Sequence, residues 1–114
     1  MSDSLEKGVA LEKVDVETIA DSLGAPLHAP ISFSVCQKVI DRTVLVSDDA
    51  MCQAMAWAAD ELKLALEPAG AAVLAALHGP LRKDCANRSV AAILCGSNID
   101  SESWSAYVTR GRKS

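Results

Sequence analysis

The apolar positions of this chain fall into two kinds of run, and each kind predicts a different element. From Asp48 to Leu66, Met51, Ala54, Met55, Ala58, Leu62 and Ala65 recur at spacings of three and four, which puts them on one face of a helix. Ser47 is placed to cap that helix, and Asp48 and Asp49 fall in its first turn, where acids complement the helix dipole. Ala69 to Leu77 is apolar all round, which predicts a second helix buried on several sides, opened by Pro68 and stopped at His78-Gly79-Pro80. Trp104, Tyr107 and Val108 give a packing face to a third, Ser101 to Arg110. The other kind of run is short and unbroken. Thr43-Val44-Leu45-Val46 and Val90-Ala91-Ala92-Ile93-Leu94-Cys95 read as strands, the second buried on both faces as in a parallel sheet. It ends at Gly96-Ser97-Asn98, and the carboxyl end of such a strand is where open α/β sheets place ligands.

The remaining segments are weaker in pattern. Residues 1–15 are polar, with Val9, Leu11 and Val14 scattered among charges, and predict a short helix or arm. Val16 to Ala20 reads as a short extended segment, and Asp21 to Pro26 carries turn chemistry. Ile31 to Ile40 predicts a short helix, Leu81 to Arg88 an exposed charged connection, and 111–114 a frayed tail. The expected fold class is α/β: a small, mostly parallel sheet with flanking helices, in one domain over 1–114. So small a sheet leaves edges uncovered, and edges recruit partners.

Composition narrows the function classes. Half of the 114 residues are hydrophobic and only 4% are aromatic, so the core must be built from Ala, Val, Leu, Ile and Met. The formal charge of −4 offers no basic face for a phosphate backbone, which argues against nucleic acid. No run approaches the roughly 18 apolar residues of a membrane span, and the first residues lack a secretory pattern, so a cytoplasmic protein is expected. Cys36, Cys52, Cys85 and Cys95 are then reduced thiols. They form no CxxC pair, and neither His28 nor His78 stands at zinc-ligand spacing from them, so no metal site is expected. Cys95, between a strand and a helix, could carry a lowered thiol pKa, but neither histidine is placed as its base.

Three motifs stand in order along the chain: Glu17-Thr18-Ile19-Ala20-Asp21-Ser22, Lys63-Leu64-Ala65-Leu66-Glu67-Pro68-Ala69-Gly70-Ala71-Ala72, and Leu94-Cys95-Gly96-Ser97-Asn98-Ile99-Asp100. Together, from about Val16 to Trp104, they resemble the C-terminal part of the pyridoxal-phosphate-dependent serine/threonine dehydratase and serine racemase family, of fold type II and tryptophan synthase β-like. The family forms are similar to TIADG, K-L-x-x-E-P-A/S-G-A and L/V-S/C-G-G-N-I/V-D. The expected organisation is an arm over 1–15, a dehydratase-like region over 16–110 resembling part of the large domain, and the tail.

The resemblance implies roles residue by residue. Cys95 takes the place of the Ser or Cys that faces the cofactor's ring nitrogen, and a neutral partner there suits dehydratase chemistry. Glu67 matches the glutamate near the ring, Ser22 stands where the family has a glycine packed near it, and Gly96 and Asn98 match the turn. Ser97 replaces the family's second glycine. None of the lysines lies in a context similar to the family's Schiff-base motif S-x-K-x-R-G, and the isolated glycines make no phosphate-gripping loop. The implied protein is a truncated or stand-alone segment of an amino-acid ammonia-lyase (a lyase of amino-acid metabolism), inactive alone, with at best weak affinity for pyridoxal phosphate. Two alternatives stand beside it: a subunit completing a cofactor site with a partner chain that carries the N-terminal part, and a non-enzymatic interaction module. A homo-oligomer, a dimer, is expected under each.

Overall fold

The computed structural model describes residues 1–113. The chain divides into two compact units, Met1–Val44 and Leu45–Ser114.

The first unit is built on helices α1 (Ser2–Lys7) and α2 (Pro30–Val39), with a 3-10 turn at Asp21–Leu23. α1 ends at Gly8, whose φ of 69° closes the helix with its N–H on the Ser4 carbonyl. α2 starts at Pro30, which brings a preset φ and no N–H to leave unpaired. The unit's polar centre is Ser4 and His28, both buried. Ser4 Oγ lies 2.6 Å from His28 Nδ1 and accepts the Leu11 N–H at 3.0 Å, so these groups satisfy one another as burial requires. The Ile31–Ile40 segment forms the expected helix, shifted by one residue. Phe33 is its buried anchor, while Ile31, Val35 and Val39 remain exposed.

The second unit is a layer of helices: α3 (Asp48–Trp57), α4 (Pro68–His78) and α5 (Ser101–Lys113), with α3 in the middle against the other two. Ser47 caps α3 as expected, its Oγ accepting the Ala50 N–H at 3.2 Å. Met51, Cys52, Ala54, Met55, Ala71, Leu74, Ala75 and Val108 make the core. Burial holds the Cys52 thiol above its ordinary pKa, so it behaves as a small apolar group. α3 stops earlier than the Asp48–Leu66 span. A single π turn, Ala58–Leu62, follows it, and Lys63 at φ 59° ends the run, with the Leu64 N–H reaching back to the Ala58 carbonyl.

The expected sheet is not formed: among the described residues there are no strands. Both apolar runs, 43–46 and 89–95, lie outside regular structure. Ile93 is 83% exposed, where burial on both faces was expected, and Leu45, expected in a strand, is 78% exposed. The cause is backbone pairing. A helix satisfies its N–H and C=O groups within itself, whereas a strand needs a neighbour, and among the described residues these runs find none.

The C-terminal end also differs from the expected frayed tail. α5 continues through Lys113, held by Arg110 on Asp49 (2.6 Å) and by Arg112 on Asp60. Gly111 makes the continuation possible. A Cβ there would lie 2.0 Å from the Cys52 carbonyl oxygen, so α5 crosses α3 backbone to backbone. Among the described residues no helix is long and apolar enough to cross a membrane.

Candidate functional site

The turn after the 89–95 run is gathered onto the amino end of α4. Glu67 stands one residue before that helix, with extended backbone (φ −75°, ψ 164°), because the residue before a proline is pushed out of the α region. From there it holds the turn by two bonds. Its N–H donates to the Gly96 carbonyl at 3.1 Å, and its Oε2 accepts the Asn98 N–H at 2.9 Å.

Two glycines let the partners approach this closely. A Cβ on Gly70 would lie 2.0 Å from the Cys95 carbonyl oxygen and 2.9 Å from that of Gly96. The first turn of α4 therefore rests directly on the Cys95–Gly96 backbone. Gly96 adopts φ 92°, and a Cβ there would fall 2.4 Å from Glu67 Oε1. Cys95, immediately before that glycine, is exposed and carries a free thiol. Asp100 closes the segment by capping α5: its Oδ1 accepts the Ser103 N–H at 2.8 Å, and hydrogen bonding from the Ser103 side chain, then from its backbone, holds the carboxyl below the ordinary aspartate range.

Of the five residues singled out from sequence, Glu67, Cys95, Gly96 and Asn98 come together in the second unit. Ser22 lies in the first unit, exposed on the 3-10 turn, where its N–H and Oγ both donate to Asp21 Oδ1. The part that sequence reading missed is what Glu67 holds. Its carboxylate grips the peptide N–H of Asn98, a bond between residues 31 apart. The only local signal was a glutamate preceding Pro-x-Gly. Gly70 meets the Cys95–Gly96 backbone.

These residues accommodate one part of a pyridoxal phosphate and not the rest. An exposed thiol at the end of an apolar run can face a ring nitrogen. A phosphate needs unengaged N–H groups, and here the Asn98 N–H already serves a carboxylate, whose charge repels a phosphate. An imine needs a lysine amine directed at the same place, whereas the Lys63 amine donates to the Asp60 carbonyl at 2.5 Å. The described residues also hold no group of three His, Cys, Asp or Glu side chains able to bind a metal. No reaction step is therefore derived through the cofactor on this chain.

Comparison with known proteins identifies the lineage. The chain is 40% identical over 111 residues to the phenylserine dehydratase of Ralstonia pickettii, covering 97% of this chain and 34% of that protein. It is 32% identical over 108 residues to an L-threonine ammonia-lyase of Geobacter sulfurreducens, covering 95% of this chain and 27% of that one. Among solved structures, the processed form of threonine deaminase isoform 2 from Solanum lycopersicum superimposes with a TM-score of 0.84 at 29% identity, over 96% of this chain and 32% of that one. Serine racemase from Dictyostelium discoideum gives 0.74 at 29% identity, over 87% and 31%. The chain thus spans about a third of the length of the relatives it matches, and the helices and turn described above are a part of the fold type II architecture. With the model of the pyridoxal-phosphate dependent enzymes matching residues 1–96, the chain belongs to that family.

Proposed function

We propose that this chain supplies the ring-facing, C-terminal part of a serine/threonine dehydratase-type ammonia-lyase and does not catalyse by itself. The observation that carries the reading is the lock of Glu67 and Gly70 on the 95–98 turn, which fixes Cys95 at an exposed position. In the assembled site Cys95 faces the ring nitrogen as a neutral partner, while Gly96 and Asn98 shape the turn beneath the ring. Glu67 positions that turn through the Asn98 N–H and lies beside the ring. Ser22, in the first unit, takes the position of the glycine in the related motif. Pyridoxal phosphate, when bound, supplies the electron sink, and a β-hydroxy amino acid is the substrate class of the complete enzyme. This chain contributes orientation and lacks the covalent and phosphate anchors.

The test is titration of the purified chain with pyridoxal phosphate, followed by absorbance. The expected result is a spectrum equal to the sum of free cofactor and protein, and no ammonia release from threonine or serine. An imine band saturating at one cofactor per chain overturns the proposal. A second reading, an oligomeric interaction module without chemistry, draws support from the exposed Leu45, Leu64, Val90 and Ile93. Exposed apolar residues favour association, so the chain alone is expected to be a dimer.

A further inference from the structure

We infer that the cleft between the carboxyl end of α4 and the facing side of α3 binds a small organic ammonium ion. The site is separate from the 95–98 turn. That turn rests on the amino end of α4, whereas the cleft lies at the other end of this 11-residue helix, which is about 16 Å long. The inference does not depend on the cofactor reading.

The cleft has a volume of about 410 Å³, within the range of small-molecule sites. Ala50, Ala54 and Ala75 give it an apolar floor, with side chains too short to fill it. Its wall is Trp57. Tryptophan is among the more buried side chains of folded proteins, yet Trp57 is 38% exposed. The indole is also held still. The His78 ring meets it at 87°, with 4.7 Å between the centroids. A ring fixed in advance loses little freedom when a ligand settles on it. The polar groups of the cleft are acceptors. α4 ends at Gly79, so its last carbonyls give that end a partial negative charge. The Gln53 carboxamide oxygen and the unprotonated nitrogen of a neutral His78 ring add two more. Among the described residues no hydrogen bond engages either of these side chains.

These features select the charge of the ligand. The face of an indole attracts a cation through its quadrupole, and the carboxyl end of a helix attracts one through its carbonyls. A primary ammonium brings three N–H donors to the acceptors, and an aliphatic body covers the alanines and the indole. A carboxylate is disfavoured, because no lysine or arginine is among the described residues lining the cleft and the end of α4 repels an anion. The ligand class is therefore an aliphatic amine without a carboxylate. An amino acid, the substrate class of the complete enzyme, is excluded by its acid group.

The test titrates the isotope-labelled 114-residue chain and follows it by NMR. Pyridoxal phosphate is left out, since its aldehyde condenses with amines, and the outcome is therefore distinct from that of the cofactor titration. Isopentylammonium, leucine and isopentanol share one branched body and differ in the head group. Isopentylammonium is expected to shift the Trp57 indole N–H and the Gln53 carboxamide to saturation, and the other two to bind roughly tenfold more weakly. Trp57→Leu is expected to lower the affinity for the ammonium ion about tenfold, and Trp57→Phe, which keeps a ring face, by less. Gln53→Ala is expected to lower it about threefold with the helical circular dichroism unchanged, because that side chain is exposed. Equal affinity for isopentanol marks a merely apolar slot and overturns the inference. Tighter binding of leucine, a titration without saturation, or a saturating shift that neither Trp57→Leu nor Gln53→Ala alters does the same. Should Trp57→Leu lose helical structure, Gln53→Ala and the comparison of head groups on the unaltered chain still decide.

Discussion

Helix α3 and the 89–95 run are both apolar stretches in the same compact unit, yet one is the centre of the core and the other lies on the surface. Met55 in α3 is fully buried, whereas Ile93 in the run is 83% exposed. Hydrophobicity does not separate them; the place where each finds its backbone partners does. α3 bonds to itself and can then bury its side chains against α4 and α5, while 89–95 cannot be buried before another strand accepts its peptide groups. The local sequence sets how apolar a segment is, and the surrounding chain sets whether that character can be used.

The comparison breaks most sharply at Met55. Met55→Ala removes a fully buried side chain from the middle helix and is expected to cost about 2–5 kcal/mol, read as a lower urea midpoint with little change in slope. The same truncation at Ile93 is expected to stay within about 0.5 kcal/mol, and a larger loss would show that the run is covered in solution. Next comes the α3–α5 crossing. Gly111→Ala gains up to about 1 kcal/mol of helix propensity but places a methyl 2.0 Å from a backbone oxygen that has no side-chain freedom to yield. Overpacking wins, and a net loss of roughly 1–3 kcal/mol is expected by the same measurement.

The smallest effect is electrostatic. The hydrogen bond from Arg112 to Asp60 holds the Asp60 carboxyl below its ordinary pKa. A depressed folded-state pKa contributes stability that is complete above the unfolded value, near about 3.9, and is lost as pH falls through the lower folded value. Asp60→Asn should therefore weaken the acid sensitivity of the α5 end below about pH 4 and leave neutral stability nearly unchanged, since the pair is exposed. Comparing denaturation midpoints of the two proteins at acid and neutral pH checks it. An equal acid loss in both would remove the pair from the account.

Much of the helical part was legible in the residues. Ser47 before two aspartates, Pro68 opening α4 and the His78-Gly79-Pro80 stop each carry a local reason that tertiary structure did not need to supply. Lys63 was not legible as the end of the α3 region, because a lysine at φ 59° has no local signature and the apolar spacing continues through Ala65. The site divides in the same way. Cys95, Gly96 and Asn98 read as a turn with chemistry, but the Glu67 bond to Asn98 spans 31 positions and leaves no trace in spacing.

By itself, then, the sequence determined where α3, α4 and α5 begin, where α4 stops and the family to which the motifs belong, because these depend on neighbours a few residues apart. Only the tertiary structure decided that α4 sits on the Cys95–Gly96 backbone, that α5 runs on to cross α3 at Gly111, and that the apolar runs stay open. Close approach and strand pairing are properties of two distant segments at once, and neither segment records the other.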